Sequence, residues 1–300
     1  MEVVTCEDDI CKLVENEISG VIPKLRGTRI IFRGSGNVLH CEQGVSLSNS
    51  IIAFNGSNSI AALGGGYHSL CLDLTLYHDS AFAIGKDCYI NGKLSAIASE
   101  RRNILIGNEC LISFGVWMRT ADPHLVYDLD SGRRINPSED VLIGDHVWIG
   151  QSVHILKKTY IGSGSIVGAA ALVAGKTIPS NTSWGGNPAH QLKDNIGWDR
   201  ACVNSYHTAD TDIMEFRDPR QYDYSTSSHN GSIQMKSLSQ DLHRLVSAQK
   251  KRDYLKSSFY AEGDKNRFSI SEERLSDRPS SVASEAMPRF WMKVLKGIKR

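Results

Sequence analysis

No pair of cysteines in this chain sits at Cys-x-x-Cys spacing, and their total of seven is odd. That argues against a dithiol redox motif or a paired zinc signature, and for free thiols buried as small apolar side chains. No run of 18 or more residues is apolar throughout, so no segment reads as a membrane-spanning helix. The first nine residues, Met1-Glu2-Val3-Val4-Thr5-Cys6-Glu7-Asp8-Asp9, lack the basic start and apolar middle of a secretory signal, and the expected location is cytoplasmic. The formal charge is only +1, which removes any global electrostatic case for a nucleic-acid partner. A glycine fingerprint for a dinucleotide domain is missing too.

What the chain does have is a step of six. Ile143, Ile149, Ile155, Ile161, Val167 and Val173 are each six residues apart, and Ile84 to Ile90 and Ile106, Ile112 and Met118 keep the same step. Glycine follows at Gly85, Gly107, Gly144, Gly150, Gly162 and Gly168, where it lets the backbone turn without a Cβ. Six is the period of neither a helix nor an alternating strand. It is that of a hexapeptide β-helix, in which each short strand sends one aliphatic side chain inward and then turns. Upstream, Val38, Val45, Ile51, Ile60, Leu72, Leu74 and Leu76 are strand-like but drift in phase, and read as irregular early coils.

The phase breaks twice, near Ser99-Glu100-Arg101-Arg102-Asn103 and again after Met118, where 25 residues separate it from Ile143. Insertions in a solenoid become loops on one face, often the binding face. The second carries Asp122-Pro123-His124-Leu125-Val126-Tyr127-Asp128. It is followed by Val141-Leu142-Ile143-Gly144-Asp145-His146-Val147-Trp148-Ile149-Gly150 and later by Ile178-Pro179-Ser180-Asn181-Thr182-Ser183-Trp184-Gly185-Gly186-Asn187-Pro188-Ala189-His190. Across about residues 30–195 these stretches resemble the hexapeptide acyltransferase superfamily, and within it the galactoside, capsule and polysialic acid O-acetyltransferases.

The resemblance implies a mainly β protein, a left-handed parallel β-helix of hexapeptide repeats with an extruded catalytic loop. It also implies a homotrimer with sites between subunits and acetyl-CoA as donor. A sugar hydroxyl needs a base to take its proton as it attacks a thioester, and histidine titrates near neutral pH. His124, on the large insertion, is the expected catalytic base. His146 lies on the repeat and reads as structural or solvent-facing. The resemblance puts Trp148 at the thioester and acceptor site, where an aromatic wall excludes water. It assigns coenzyme A contacts to Gly150, Gln151, Gly168, Ala169, Lys176, Asn187 and Lys193, the lysines toward phosphate. Arg101, Arg102 and Arg119, with Arg133 and Arg134, flank the expected cleft, and arginine pairs bidentately with carboxylate, which suits an acidic glycan acceptor. No metal is expected, since His124 and His146 do not form a three-histidine zinc set.

The expected organisation is therefore a helical N-terminal segment 1–29, a β-helix domain 30–195 with its loop at about 119–140, and a partly helical extension 196–300. In the extension, 236–260 reads as a helix with Leu238, Leu242, Leu245 and Val246 on one face, followed by a Ser-rich linker. Residues 288–300 form a basic amphipathic segment suited to a peripheral membrane contact at the inner face of the cytoplasmic membrane, or to packing within the trimer. Two other functions fit the same repeat: an acetyltransferase for a small molecule, and a β-helix that serves only as a scaffold.

Overall fold

A computed structural model of the chain describes residues 1–214, 218–224, 233–261 and 268–269. The basic segment at 288–300 and nearly all of the Ser-rich stretch lie outside the described residues. The chain winds as a parallel β-solenoid with a triangular section, and three sheets form its faces. The first face runs from Arg29–Phe32 through Trp117–Arg119 and His154–Ile155 to Leu172–Val173. The second runs from Glu17–Gly20 to Thr177–Ile178. The third starts with Lys24–Arg26 and Ser46–Ser48, continues through a bridge between Leu47 and Leu70, and ends in strands Tyr89–Ile90 to Ser183–Gly185.

The period of six is the geometry of this prism: each strand supplies one inward residue, then the chain turns a corner onto the next face. Ile106, Ile112, Met118, Ile143, Ile149, Ile155, Ile161, Val167 and Val173 are all fully buried in one continuous core. Burying each such side chain is worth roughly 1.5–3 kcal/mol, and stacking in register along the axis makes those contributions cooperative. The glycines after the aliphatic residues do a different job from the turning role expected of them. The left-handed backbone angle falls two residues later, at Asp87, Glu109 and His146. A Cβ on Gly107 would lie 2.6 Å from the carbonyl carbon of Gly144 in the next coil, so what the position requires is close approach between coils.

The early coils are regular, not irregular, but with a longer period. Glu17, Val38, Ile60, Ala81 and Asn103 are successive partners on the second face, 21 or 22 residues apart. The extra residues all sit at the corner between the first and second faces, where buried polar side chains stitch one turn to the next. Asn37 accepts from the Ser59 amide at 2.9 Å, and Ser59 Oγ accepts from the Ser80 amide at 3.2 Å. The break at Ser99–Asn103 is one more of these corners rather than an inserted loop.

Residues 1–29 are not helical apart from the 3-10 turn Glu7–Lys12. Alternating Glu17, Ile18 and Ser19 belong to the first coil, so the solenoid begins well before residue 30. Its ends are closed differently from its middle. Strand Glu2–Val4 pairs antiparallel with Arg29–Phe32, and Ile10 and Leu13 pack over the first end of the core. At the other end His190–Lys193 turns back antiparallel against Ser183–Gly185.

Beyond the coils come a short helix α1 (Thr208–Ile213) and two longer ones, α2 (Met235–Arg244) and α3 (Ala248–Ser258). The single expected helix is thus split. Leu245 is extended, and Ser247 caps a new start by accepting from the Lys250 amide, which leaves Val246 exposed. The two helices lie on the second face. Met235, Leu238, Leu242, Leu255 and Phe259 bury against Val38, Ile60, Ala62, Ala83, Leu105 and Leu142. Strands such as Ile60–Leu63 and Ala81–Ile84 are therefore buried on both sides, which explains why they are apolar throughout instead of alternating.

Candidate active site

The long gap in the repeat emerges as a loop that leaves the first face after Arg119 and enters the second at Val141. A hairpin-like turn organises it: Ile135 and Val126 pair through backbone bonds, as do Asp128 and Arg133, and Asp128 accepts from the Ser131 amide at 2.8 Å. At its centre is buried Asn136. Its amide donates to the His124 carbonyl at 2.7 Å and to Asp122 at 3.2 Å, and its oxygen accepts from the Val126 amide at 2.8 Å.

The loop is fastened to the corner at two levels. Below, Glu100 pairs with Arg134 and accepts from Ser138, and these partners hold its carboxyl down to about 2. Above, Lys157 Nζ lies 2.6 Å from Asp122 Oδ2, and that hydrogen bond is the main cause of the lowered Asp122 carboxyl. Lys158 takes the left-handed turn position, and Lys157 beside it reaches down to the loop. The loop's exit is tied down by Asp140. Burial alone would raise its carboxyl, but bonds from His243 at 3.1 Å, the Asn103 amide at 2.9 Å and Ser239 at 2.8 Å keep it lowered.

His124 rides on this clamped backbone with its side chain exposed. Among the described residues its imidazole has no hydrogen-bond partner, and the loop around it presents apolar side chains to solvent: Leu125, Tyr127, Leu129 and Ile135 are each at least half exposed. Trp148 lies elsewhere. It stands on the third face between Leu111 and Ile166 and packs at 6.0 Å against Trp198. Within one chain the corner that carries His124 is opposite the face that carries Trp148, so a single chain does not bring them together.

His146 is buried and structural. Its ring stacks on Trp198 at 4.0 Å, its Nε2 bonds the Trp198 carbonyl at 3.1 Å, and the Trp198 indole donates to the His146 carbonyl at 2.9 Å. Tyr224 also stacks on the ring, at 5.4 Å. This aromatic support for Trp148 lies past the end of the repeat, where periodicity offers no signal.

The other expected residues divide over the molecule. Gly150-Gln151, Gly168-Ala169 and Asn187 line one edge, between the third and first faces, as a column of small residues; the Ala170 amide donates to the Gln151 carbonyl at 2.7 Å. Lys176 sits on the corner that holds the loop, one coil above Thr159, and Lys193 on the returning strand. Arg119 extends over Trp117 at 4.4 Å, its Nε buried without a hydrogen bond. Arg102 faces Glu139 at 3.7 Å, and Arg134 is committed to Glu100. Arg101, in a left-handed conformation, has no ion pair among the described residues.

The family model for the six-repeat bacterial transferase hexapeptide matches residues 140–175. The polysialic acid O-acetyltransferase of Neisseria meningitidis is 30% identical over 190 residues, which cover 63% of this chain and 87% of that protein. The crystal structure of the polySia specific acetyltransferase NeuO is similar at 27% identity and a TM-score of 0.57, over 66% of this chain and 95% of that one. That of the polysialic acid O-acetyltransferase OatWY is similar at 25% identity and a TM-score of 0.50, over 67% and 99%.

Proposed function

This chain belongs to the hexapeptide-repeat acetyltransferases, and on that premise we propose that it transfers acetyl from acetyl-CoA to a hydroxyl of an acidic, sialic acid-containing capsular polysaccharide. The observation that carries the reading is the presentation of His124: a solvent-facing imidazole without an internal partner among the described residues, on a loop held at Asn136, Glu100 and Lys157. His124 takes the proton of the acceptor hydroxyl as that oxygen attacks the thioester carbonyl. The C–O bond forms, the tetrahedral intermediate collapses with loss of the C–S bond, and the proton passes on to the leaving thiolate. No covalent acyl-enzyme is needed.

The reading includes a homotrimer. His124 and Trp148 point to opposite sides of one prism, and the apolar loop is uncovered in one chain. A cyclic arrangement that sets the loop corner of one copy against the third face of the next would supply both to one cleft and bury the loop. The small-residue edge at Gly150, Gln151, Gly168, Ala169 and Asn187 suits the pantetheine, with Lys176 of the loop corner and Lys193 available to phosphates. Arg119 and Arg102 stand beside the loop, toward the acceptor.

The test is transfer of labelled acetyl from acetyl-CoA to a panel of acidic and neutral polysaccharides, free sugars and an antibiotic acceptor, with mass analysis. An acetyl ester on a sialic acid polymer is the expected product. Transfer confined to the small acceptors would replace this reading.

A further inference from the structure

Below the loop, at the same corner, a cavity of about 230 Å³ opens between the coil turns and the junction of α2 with α3. Arg101, Arg244 and Lys251 line it, with His243, Asp79 and the exposed apolar rim of Val246. Its charge is unbalanced. Among the described residues, Asp79 is the only carboxylate of the lining, and its Oδ1 is occupied by the Asn58 amide at 2.6 Å. His243 is turned to Asp140, and Arg244 shares Asp241 at 2.9 Å on the outer side. Arg101 has no ion pair among the described residues. Lys251 is 2% exposed, and its ammonium hydrogen-bonds the backbone carbonyl of Asp79. A buried cation without a bonded counter-charge is costly unless something supplies one.

The wall has a clear construction. Asp79 and Arg101 take left-handed backbone conformations at successive corner turns, which puts both at the lip of the same groove. The helices close the groove from outside because Ser247 breaks the run between them and Asn58 binds both sides of the break, donating to the Val246 carbonyl at 2.9 Å and accepting from the Ala248 amide at 2.8 Å. Glu100, beside Arg101, is the residue that fastens the catalytic loop. Coils stack at about 4.8 Å, so two to three coils, roughly 10–15 Å, separate this cavity from the level of Lys157 and Asp122.

We propose that this cavity is an anion subsite that holds a carboxylate of the acidic polysaccharide one or more residues away from the sugar at His124, so that the enzyme grips a polymer at two points. The proposal rests on the acceptor class above. The carboxylate is favoured over a coenzyme A phosphate because a sialic acid polymer repeats its carboxylate along the chain, and the coenzyme A titration below decides between the two. Arginine at the mouth gives the planar fork that carboxylate prefers, while the ammonium at the base supplies a point charge.

The experiment titrates the full chain, wild type and Arg101→Gln/Arg244→Gln, with polysialic acid, with neutral dextran and with coenzyme A, at low and high salt. Both arginines are at the surface, and unchanged thermal unfolding confirms folding. The subsite predicts about tenfold weaker binding of polysialic acid in the variant, a difference that shrinks in high salt, with coenzyme A affinity retained. Equal binding of polysialic acid by both proteins overturns it, as does a wild type that binds none, or a loss that falls on coenzyme A. The two readings separate cleanly. Weakened polymer binding without acetyl transfer to that polymer leaves the subsite and removes the acceptor assignment, while unaltered binding with transfer intact does the reverse.

Discussion

Lys157 and Asp122 meet at 2.6 Å across 35 residues of sequence, and Asp122 lies two residues before His124. An ion pair this exposed adds little to global stability, on the order of 0–1 kcal/mol. Its effect is local, because it sets one end of the segment that presents the imidazole. Lys157→Met should leave the melting temperature within a degree or two and lower turnover about tenfold. Lys157→Arg should restore most of the activity. A Met variant with wild-type turnover would show that the loop needs no such anchor.

Replacement of His124 by Ala should lower turnover by about 10²–10⁴-fold with little change in acetyl-CoA affinity, as expected for loss of a general base. Steady-state rates with binding measured separately decide it. Near-wild-type turnover removes His124 from the mechanism.

Co-expression of His124→Ala with Trp148→Ala should recover activity that neither has alone. If each cleft takes its histidine from one copy and its tryptophan from the next, random mixing leaves about a quarter of the clefts intact. Recovery should need both subunits in one particle, checked by differential tags and tandem purification. Mixed particles as inactive as their parents would place both residues in one chain's cleft.

Burial lowers the Lys251 amine to about 8 in the folded chain from an ordinary value of 10.5. Below pH 8 both folded and unfolded chains carry the proton, and the native state bears the full cost of burying the charge. Between pH 8 and 10.5 the unfolded chain binds more protons, so wild-type stability rises with pH in that window. Lys251→Met should therefore stabilise the protein at pH 7, by up to about 3 kcal/mol, with the gain shrinking toward pH 10. Denaturant melts at both values test the sign, and destabilisation at pH 7 would count against it.

Asn136→Ala removes the amide that binds the His124 carbonyl, the Val126 amide and Asp122. It should cost about 1–3 kcal/mol of stability and reduce turnover more than Lys157→Met does. Proteolysis within the loop should accelerate in parallel. A variant that keeps both turnover and loop protection would deny Asn136 this central place.

Much of the fold was legible because the inward residue of each coil repeats at a fixed step, as Ile143, Ile149 and Ile155 do. The loop was legible as a gap in that step. The early coils were not, since their extra residues, such as Asn55 to Ser59, are polar corner residues that carry no hydrophobic phase. Contacts across coils were equally silent: nothing at Glu100 announces Arg134, and nothing at His146 announces Trp198. The strands under the helices carry a signal of their own. Ile60-Ala61-Ala62-Leu63 and Ala81-Phe82-Ala83-Ile84 do not alternate, which in a solenoid strand means that both sides are covered.

The reversed strands at the two ends of the prism bear on what this protein cannot become. A parallel solenoid exposes at each end a row of backbone groups that another copy could extend without limit, and the outcome of that would be a fibre. Glu2–Val4 at one end and His190–Lys193 at the other run against the ladder, so an incoming coil finds the wrong polarity on one face at either terminus. Growth along the axis is thereby discouraged, and the surfaces left for self-association are lateral, where a closed ring ends the process at a small number of subunits.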